Sequence, residues 1–254
     1  MQLTIDTEQA RVTILDNGLS RDLPLYSKPA YEILSQLWTK VGWNEKNVYT
    51  YSWFGRPIIQ LPQDMVRTQE VIYRLRPDVI VETGVAHGGS LVFYASLFKA
   101  MGHGRVIGVD IEIRSHNRQA IEEHELSPMI TLVEGDSVSP AMLEEVKSQI
   151  QPGESVMVVL DSCHTKAHVA AELNAYHGLV TPGSYIVATD GIMKDVFDTP
   201  RGTASWRDDH PTAAALEFAA EHPEFDLGTP SWPFNESELT EDVTHWPGGW
   251  LRRR

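Results

Sequence analysis

Apolar positions change their rhythm along the chain. From Asp64, Met65, Gln69, Ile72 and Tyr73 recur along one helical stripe. Arg76-Pro77-Asp78 then interrupts the helix ahead of the apolar run Val79-Ile80-Val81. Four more short β-branched runs follow, at Arg105–Val109, Met129–Val133, Val156–Leu160 and Ser184–Ala188. Between them lie helical patterns such as Leu91, Val92, Ala95, Phe98 and Val169, Leu173, Tyr176. Continuous apolar strands alternating with helices predict an α/β fold, a doubly wound, mostly parallel sheet covered on both faces. Ser139-Pro140 and His210-Pro211 place proline in a first helical turn, and Pro182-Gly183 stops a helix before the strand at Ser184.

On either side of this region the rhythm is lost. Residues 1–63 scatter aromatics, with Tyr31, Leu34, Leu37 and Trp38 at helical spacing, and read as an N-terminal helical arm and lid whose exposed aromatics favour self-association into a homo-oligomer. The α/β domain spans 64–228. Residues 229–254, rich in Pro, Trp, Gly and acids, read as a C-terminal tail that holds the last sheet strand, and Arg252, Arg253 and Arg254 as a solvated end.

Charge and cysteine content narrow the partners. Among 254 residues, 21 Lys and Arg stand against 35 Asp and Glu, a net charge of −14 that repels a phosphate backbone and argues against nucleic acid. The single cysteine, Cys163, excludes an intrachain disulfide, and no apolar run reaches the ~18 residues that span a bilayer, so the expected setting is the cytoplasm, with no membrane.

The acids carry the clearest functional signal. Each expected strand, or the turn after it, ends in a carboxylate: Glu82, Asp110, Asp136, Asp161 and Asp190, at gaps of 28, 26, 25 and 29 residues. Each gap is about one βαβ step of ~30 residues, so all five belong on the carboxyl edge of one sheet, where open α/β sheets bind ligands. One such Asp is as readily a turn or helix cap. Five in register are not.

The first strand runs into Glu82-Thr-Gly-Val-Ala-His-Gly-Gly-Ser90. Gly84 permits a tight turn, Gly88 and Gly89 allow backbone to approach a ligand, and Ser90 can cap the next helix. The G-x-x-x-G-G spacing departs from the dinucleotide fingerprint G-x-G-x-x-G, which disfavours a nicotinamide-dependent oxidoreductase. Glu82 ahead of the loop repels a pyrophosphate but suits the ammonium and sulfonium of S-adenosylmethionine. Asp110 is placed to accept from both ribose hydroxyls, and Asp136 with Ser137 to meet an adenine amino group. His87, within the loop, contacts the donor carboxylate or faces solvent.

These residues, with Trp53-x-Gly55, Gln60-x-Pro62-x-Asp64, Gln69-Glu70, Arg76-Pro77-Asp78, Gly88-Gly89-Ser90 and Leu160-Asp161-Ser162-x-His164 followed by His168-Val169, resemble the cephalosporin hydroxylase/rhamnosyl O-methyltransferase family from about Tyr49 to Glu224. The resemblance implies a Rossmann-like class I methyltransferase fold, S-adenosylmethionine as donor, often Mg2+ near the acceptor oxygen, and a sugar or glycoside hydroxyl as substrate in antibiotic or glycoconjugate biosynthesis. It makes Asp161 a metal ligand and His164 the general base. The family's acidic pair at the fifth strand reads Thr189-Asp190 here, so Asp190 is the retained ligand and a neutral hydroxyl stands beside it.

Methyl transfer needs an oxygen held in line with the sulfur and a base for its proton, which assigns His164 and the Asp161–Asp190 cation to one edge. His168 reads as a supporting residue, and Cys163 as no nucleophile, because adjacent residues at a strand end point apart. Trp53, Arg56 and Gln60 either close over the site or pack as core. The stretch Asp195–Asp209 reads as a long acceptor-side loop offering Arg201, Trp206 and Arg207 to a substrate phosphate or sugar. A non-catalytic partner of a hydroxylase is the competing reading that Thr189 sustains.

Overall fold

The apolar runs form one mixed sheet. The computed structural model describes residues 1–237 and 239–254. Three antiparallel strands come first, β1 (Gln2–Asp6), β2 (Arg11–Asp16) and β3 (Leu19–Pro24), then α1 (Lys28–Asn44) and a short hairpin, β4 (Ser52–Trp53) with β5 (Arg56–Pro57). The main body follows as α2 (Pro62–Leu75), β6 (Val79–Thr83), α3 (Gly89–Met101), β7 (Arg105–Asp110), α4 (Ser115–Glu122), β8 (Ile130–Glu134), α5 (Pro140–Ser148), β9 (Val156–Leu160), α6 (Lys166–Tyr176) and β10 (Tyr185–Ala188). It closes with α7 (Met193–Val196), α8 (Pro211–Glu221), β11 (Phe225–Leu227) and β12 (Trp250–Arg253).

The seven-stranded sheet has the order β11-β12-β10-β9-β6-β7-β8. Strands β6 to β10 run parallel, and β12 is antiparallel to both β10 and β11. Because successive side chains leave a strand on opposite faces, each strand feeds two cores. Ile80, Met157 and Val159 pack with α2, α3 and α4 residues such as Ile72, Phe98 and Ile121, whereas Val79, Val81, Val158 and Leu160 pack with Val146, Leu173 and Phe218 of α5, α6 and α8. The chain reverses direction of growth between β6 and β9, which makes that junction the switch point where such sheets bind ligands. Among the described residues, no helix is long and apolar enough to cross a membrane.

Two expectations are corrected. Residues 2–24 are a three-stranded sheet, not helix: Asn17 and Gly18, both at positive φ, turn the chain so that Asp16 pairs with Leu19, while Val12 and Ile14 alternate inward against Ala30. The helical part of the arm is α1, capped by Ser27, and its face keeps Tyr31, Leu37 and Trp38 substantially exposed. Residues 229–254, of which Glu238 lies outside the described residues, do not end as a solvated tail. Trp250 and Leu251 are buried as β12 inside the sheet, each burial stabilising by ~1.5–3 kcal/mol, and Arg253 donates to Val180 O while Arg254 meets Asp226.

Candidate active site

The carboxyl edge collects the five acids, but they do different work on the two sides of the switch point. On the β6–β8 side they are bound into their own loops. Glu82 is fully buried, accepting from Ser90 Oγ (2.5 Å) and Tyr94 Oη (3.2 Å), and burial, with the Asp161 charge adding, holds its carboxyl well above the ordinary range. It therefore braces the loop from beneath. Ser90 is no cap. The helix N-cap is Gly88, in the left-handed region, and the Ser90 hydroxyl is spent on Glu82.

Asp110 Oδ2 accepts from Val85 N (2.8 Å) and Ala86 N (3.2 Å), and Oδ1 from Glu112 N (3.3 Å). The carboxylate shapes the glycine loop while remaining partly exposed beside it. Asp136 is exposed and caps its own turn through Val138 N, while neighbouring Ser137 is buried and donates to Glu172 at 2.6 Å. Glu172 was not singled out from the sequence. This buried acid on α6 also accepts from Ser162 (2.7 Å) and faces His168 Nε2 at 3.3 Å, so His168 is a supporting residue as expected. The readable signal was an acid within the buried Val169–Leu173–Tyr176 face.

The glycines have definite tasks. Gly84 stands at φ +92°, and a Cβ there would lie 2.1 Å from the Asp161 carbonyl, so the loop can cross the end of β9 only as glycine. A Cβ on Gly89 would meet Pro57 O at 2.1 Å, because the β4–β5 hairpin lies directly over the loop. Arg56 fastens that hairpin, donating from Nε and Nη2 to His87 O and from Nη2 to Asn117 Oδ1. His87 contributes its carbonyl to this clasp, and its position lines the cleft together with Gly84, Ser90, Gln60 and Asp161. Trp53 packs on Phe93 and donates to Ser96, a core role. The Gln60 amide is buried against the Tyr94 hydroxyl, and its carbonyl oxygen makes no hydrogen bond.

On the β9–β10 side the acids face one another. Asp161, His164 and Asp190 each offer one ligand atom within 4.8 Å of the others. Asp190 Oδ2 lies 3.4 Å from His164 Nε2, and Thr189 donates to Asp161 Oδ1 at 2.5 Å. Burial raises the Asp161 carboxyl, the Asp190 charge raises it further, and His164 and the Thr189 hydroxyl oppose both. Asp190 occupies the left-handed region at φ +54°, a conformation concentrated at functional sites. Cys163 is exposed, with Thr165 Oγ1 at 3.8 Å as its recorded partner.

The C-terminal segment seals this side. Buried Asp64 accepts from Thr244 Oγ1 (2.5 Å) and His245 N (2.8 Å), which brings the buried His245 into the electrostatic field of Asp190. Asp64 appeared in the sequence only as part of a motif, and His245 carried no signal. Of the acceptor-side loop residues, Trp206 packs edge-on against Trp43 at 5.4 Å and Arg207 stacks over Phe197 at 4.7 Å, so both hold the loop against its surroundings. The Arg201 backbone N–H is tied to Asn44.

Comparison with known proteins places this arrangement. The family model for rhamnosyl O-methyltransferase/CmcI matches residues 45–254, beginning where α1 ends. A rhamnosyl O-methyltransferase of Mycobacterium leprae (strain TN) is 31% identical over 155 residues, 60% of this chain and 65% of that protein. One of Mycobacterium bovis (strain BCG / Pasteur 1173P2) is 32% identical over 130 residues, 50% of this chain and 51% of that protein. The matches thus span between half and two thirds of these relatives' length. A structure of CmcI with Mg and SAM superposes with a TM-score of 0.53 at 21% identity, covering 81% of this chain and 77% of that one, and an apo structure of CmcI with 0.52 at 21%, covering 81% and 76%. Fold, site and family model agree that the chain belongs to the rhamnosyl O-methyltransferase/CmcI family.

Proposed function

We propose that the protein is an S-adenosylmethionine-dependent O-methyltransferase acting on a hydroxyl of a sugar, a deoxysugar such as rhamnose, nucleotide-linked or within a glycosylated natural product. The observation that carries this reading is the meeting of Asp161, His164 and Asp190 on the carboxyl edge beside the Gly84–Ser90 loop. The relatives' names support the sugar acceptor, and the antibiotic or glycoconjugate setting goes with it.

Both groups fit the residues present. The buried Gln60 amide, its carbonyl oxygen unpartnered, lines the cleft below the glycine loop and is suited to the polar amino-acid end of the donor. The backbone of Gly84 and His87 lines the same cleft, and Asp110 with Asp136 continues along the edge toward ribose and adenine. Asp161, whose carboxyl the Asp190 charge pushes up, and Asp190 itself form a pair that a divalent cation such as Mg2+ would relieve, with His164 beside it left free as the base. When bound, the donor supplies a sulfonium-activated methyl group and the cation lowers the pKa of the acceptor hydroxyl.

The chain's own residues do the rest. His164 takes the acceptor's proton, and Asp190, 3.4 Å from its Nε2, orients the ring and stabilises the imidazolium that results. Thr189 occupies one Asp161 oxygen and leaves the other for the cation, standing in for a second acid by positioning rather than by charge. The hairpin fastened by Arg56 and the segment fastened by Asp64 shield the two ends of the site from water. The test is S-adenosylhomocysteine formation on a panel of rhamnosides and nucleotide-linked deoxysugars, with Mg2+ and with EDTA. Metal-dependent turnover on a member of the panel is expected. Donor binding without turnover on any acceptor contradicts the reading.

A further inference from the structure

The carboxyl edge is not the only place where potential metal ligands meet. At the opposite, amino-terminal edge of the sheet, His177 follows the last turn of α6, His222 ends α8 and Glu224 precedes β11. One nitrogen from each ring and one Glu224 oxygen lie within 4.8 Å of one another. We propose that His177, His222 and Glu224 form a second cation site, selective for a borderline transition metal such as Zn2+.

The geometry supports this in three ways. First, His222 Nδ1 and Glu224 Oε1 are 3.1 Å apart, close to the ~3.3 Å edge of a tetrahedron whose metal–ligand bonds are 2.0–2.1 Å. A cation replacing the proton between them needs almost no movement of either group. Second, His177 Nδ1 stands 2.9 Å from Asn174 O and 3.2 Å from Leu173 O, which fixes the Nδ1–H tautomer and leaves Nε2 with its lone pair. A metal-binding histidine is commonly oriented by such a bond from its other nitrogen. Third, the rings are held by packing: His222 stacks on Phe218 at 4.0 Å and 16°, and His177 lies edge-on to both Phe218 and Phe225.

Two imidazoles and one carboxylate, with a fourth position open to water, suit Zn2+, Co2+ or Ni2+ and are poor for Mg2+, which prefers six oxygens. The two sites therefore differ in chemistry as well as place, oxygen-rich at the carboxyl edge and nitrogen-rich at the other. A metal here would tie the ends of α6 and α8 to the start of β11 and act on stability, far from the reacting atoms.

The experiment uses the full chain carrying Asp190→Asn, which disables the carboxyl-edge set, and titrates it with Co2+, whose visible d–d absorption reports nitrogen and oxygen ligation. One equivalent bound, displaced by Zn2+ and accompanied by a higher Tm, is expected. Adding His222→Gln, or Glu224→Gln at an exposed position that leaves packing alone, weakens binding by about tenfold or more and removes the Tm rise. Absence of a d–d spectrum, or the same affinity with and without these substitutions, overturns the proposal.

Discussion

The two halves of the carboxyl edge use the same residue type in opposite ways. Beside β6 and β7, Glu82 and Asp110 spend their carboxylate oxygens on Ser90, Tyr94 and the amides of Val85 and Ala86. They brace the glycine loop that forms one wall of the cleft. Beside β9 and β10, Asp161 and Asp190 face each other across His164 with a single threonine hydroxyl on Asp161, so their charges remain available for chemistry. An acid at a strand end is thus a scaffold where amides surround it and a reagent where another acid opposes it. Register along the sheet locates such residues without distinguishing the two uses.

The contrast can be broken most severely at the point where the halves touch. Gly84→Ala puts a methyl group 2.1 Å from the Asp161 carbonyl at a positive φ, and the expected loss in urea unfolding is about 4 kcal/mol or more, strain and overpacking together. Wild-type stability in this variant contradicts the close crossing of the two halves.

The next effect belongs to Asp64, which ties the C-terminal segment to the β10 side. Burial pushes its carboxyl up to about 7 from an ordinary 3.8; bonds from Thr244 and His245 oppose the rise, and the charges of Asp190 and Asp242 add to it. The folded state therefore retains a proton that the unfolded state has lost, and stability falls as pH rises through the window from about 4 to about 7. At ~1.4 kcal/mol per unit the fall is at most about 4 kcal/mol. Asp64→Asn flattens this slope in thermal scans across that window, and an unchanged slope assigns it to other groups. Smallest is Thr189→Val, which removes only the hydroxyl that holds Asp161. Mg2+ affinity by calorimetry drops by roughly fivefold, about 1 kcal/mol, with donor affinity unchanged.

Much of this architecture was legible because its causes are local. The strands from Val79 to Ala188 announce themselves as continuous β-branched runs buried on both faces, and the spacing of their terminal acids follows from the length of a βαβ step. The N-terminal sheet was also legible in principle, since Asp16-Asn17-Gly18 between alternating Val12-Ile14 and Leu19 is a hairpin signal that the helical reading of the whole arm passed over. Strand β12 was legible as a last strand within 229–254 but not at its residues, because Trp-Leu-Arg-Arg is apolar in only two positions and is made a strand by pairing with β10 and β11, contacts far away in sequence. The same holds within the site. Asp161 and Asp190 follow from the strand register and His164 from the family motif, whereas Glu172, Gln60 and His245 gain their roles from neighbours that only the folded chain supplies.

The division of labour is tested most directly by measuring kcat and the donor dissociation constant together in His164→Ala and Asp110→Ala. The account predicts opposite outcomes. His164→Ala lowers kcat by about 10²–10⁴-fold while donor affinity holds, and Asp110→Ala, which frees the loop amides, weakens donor binding by about tenfold or more while kcat at saturating donor is largely kept. A His164→Ala protein that turns over at the wild-type rate, or one whose loss lies in donor affinity, contradicts the assignment of chemistry to the β9–β10 half.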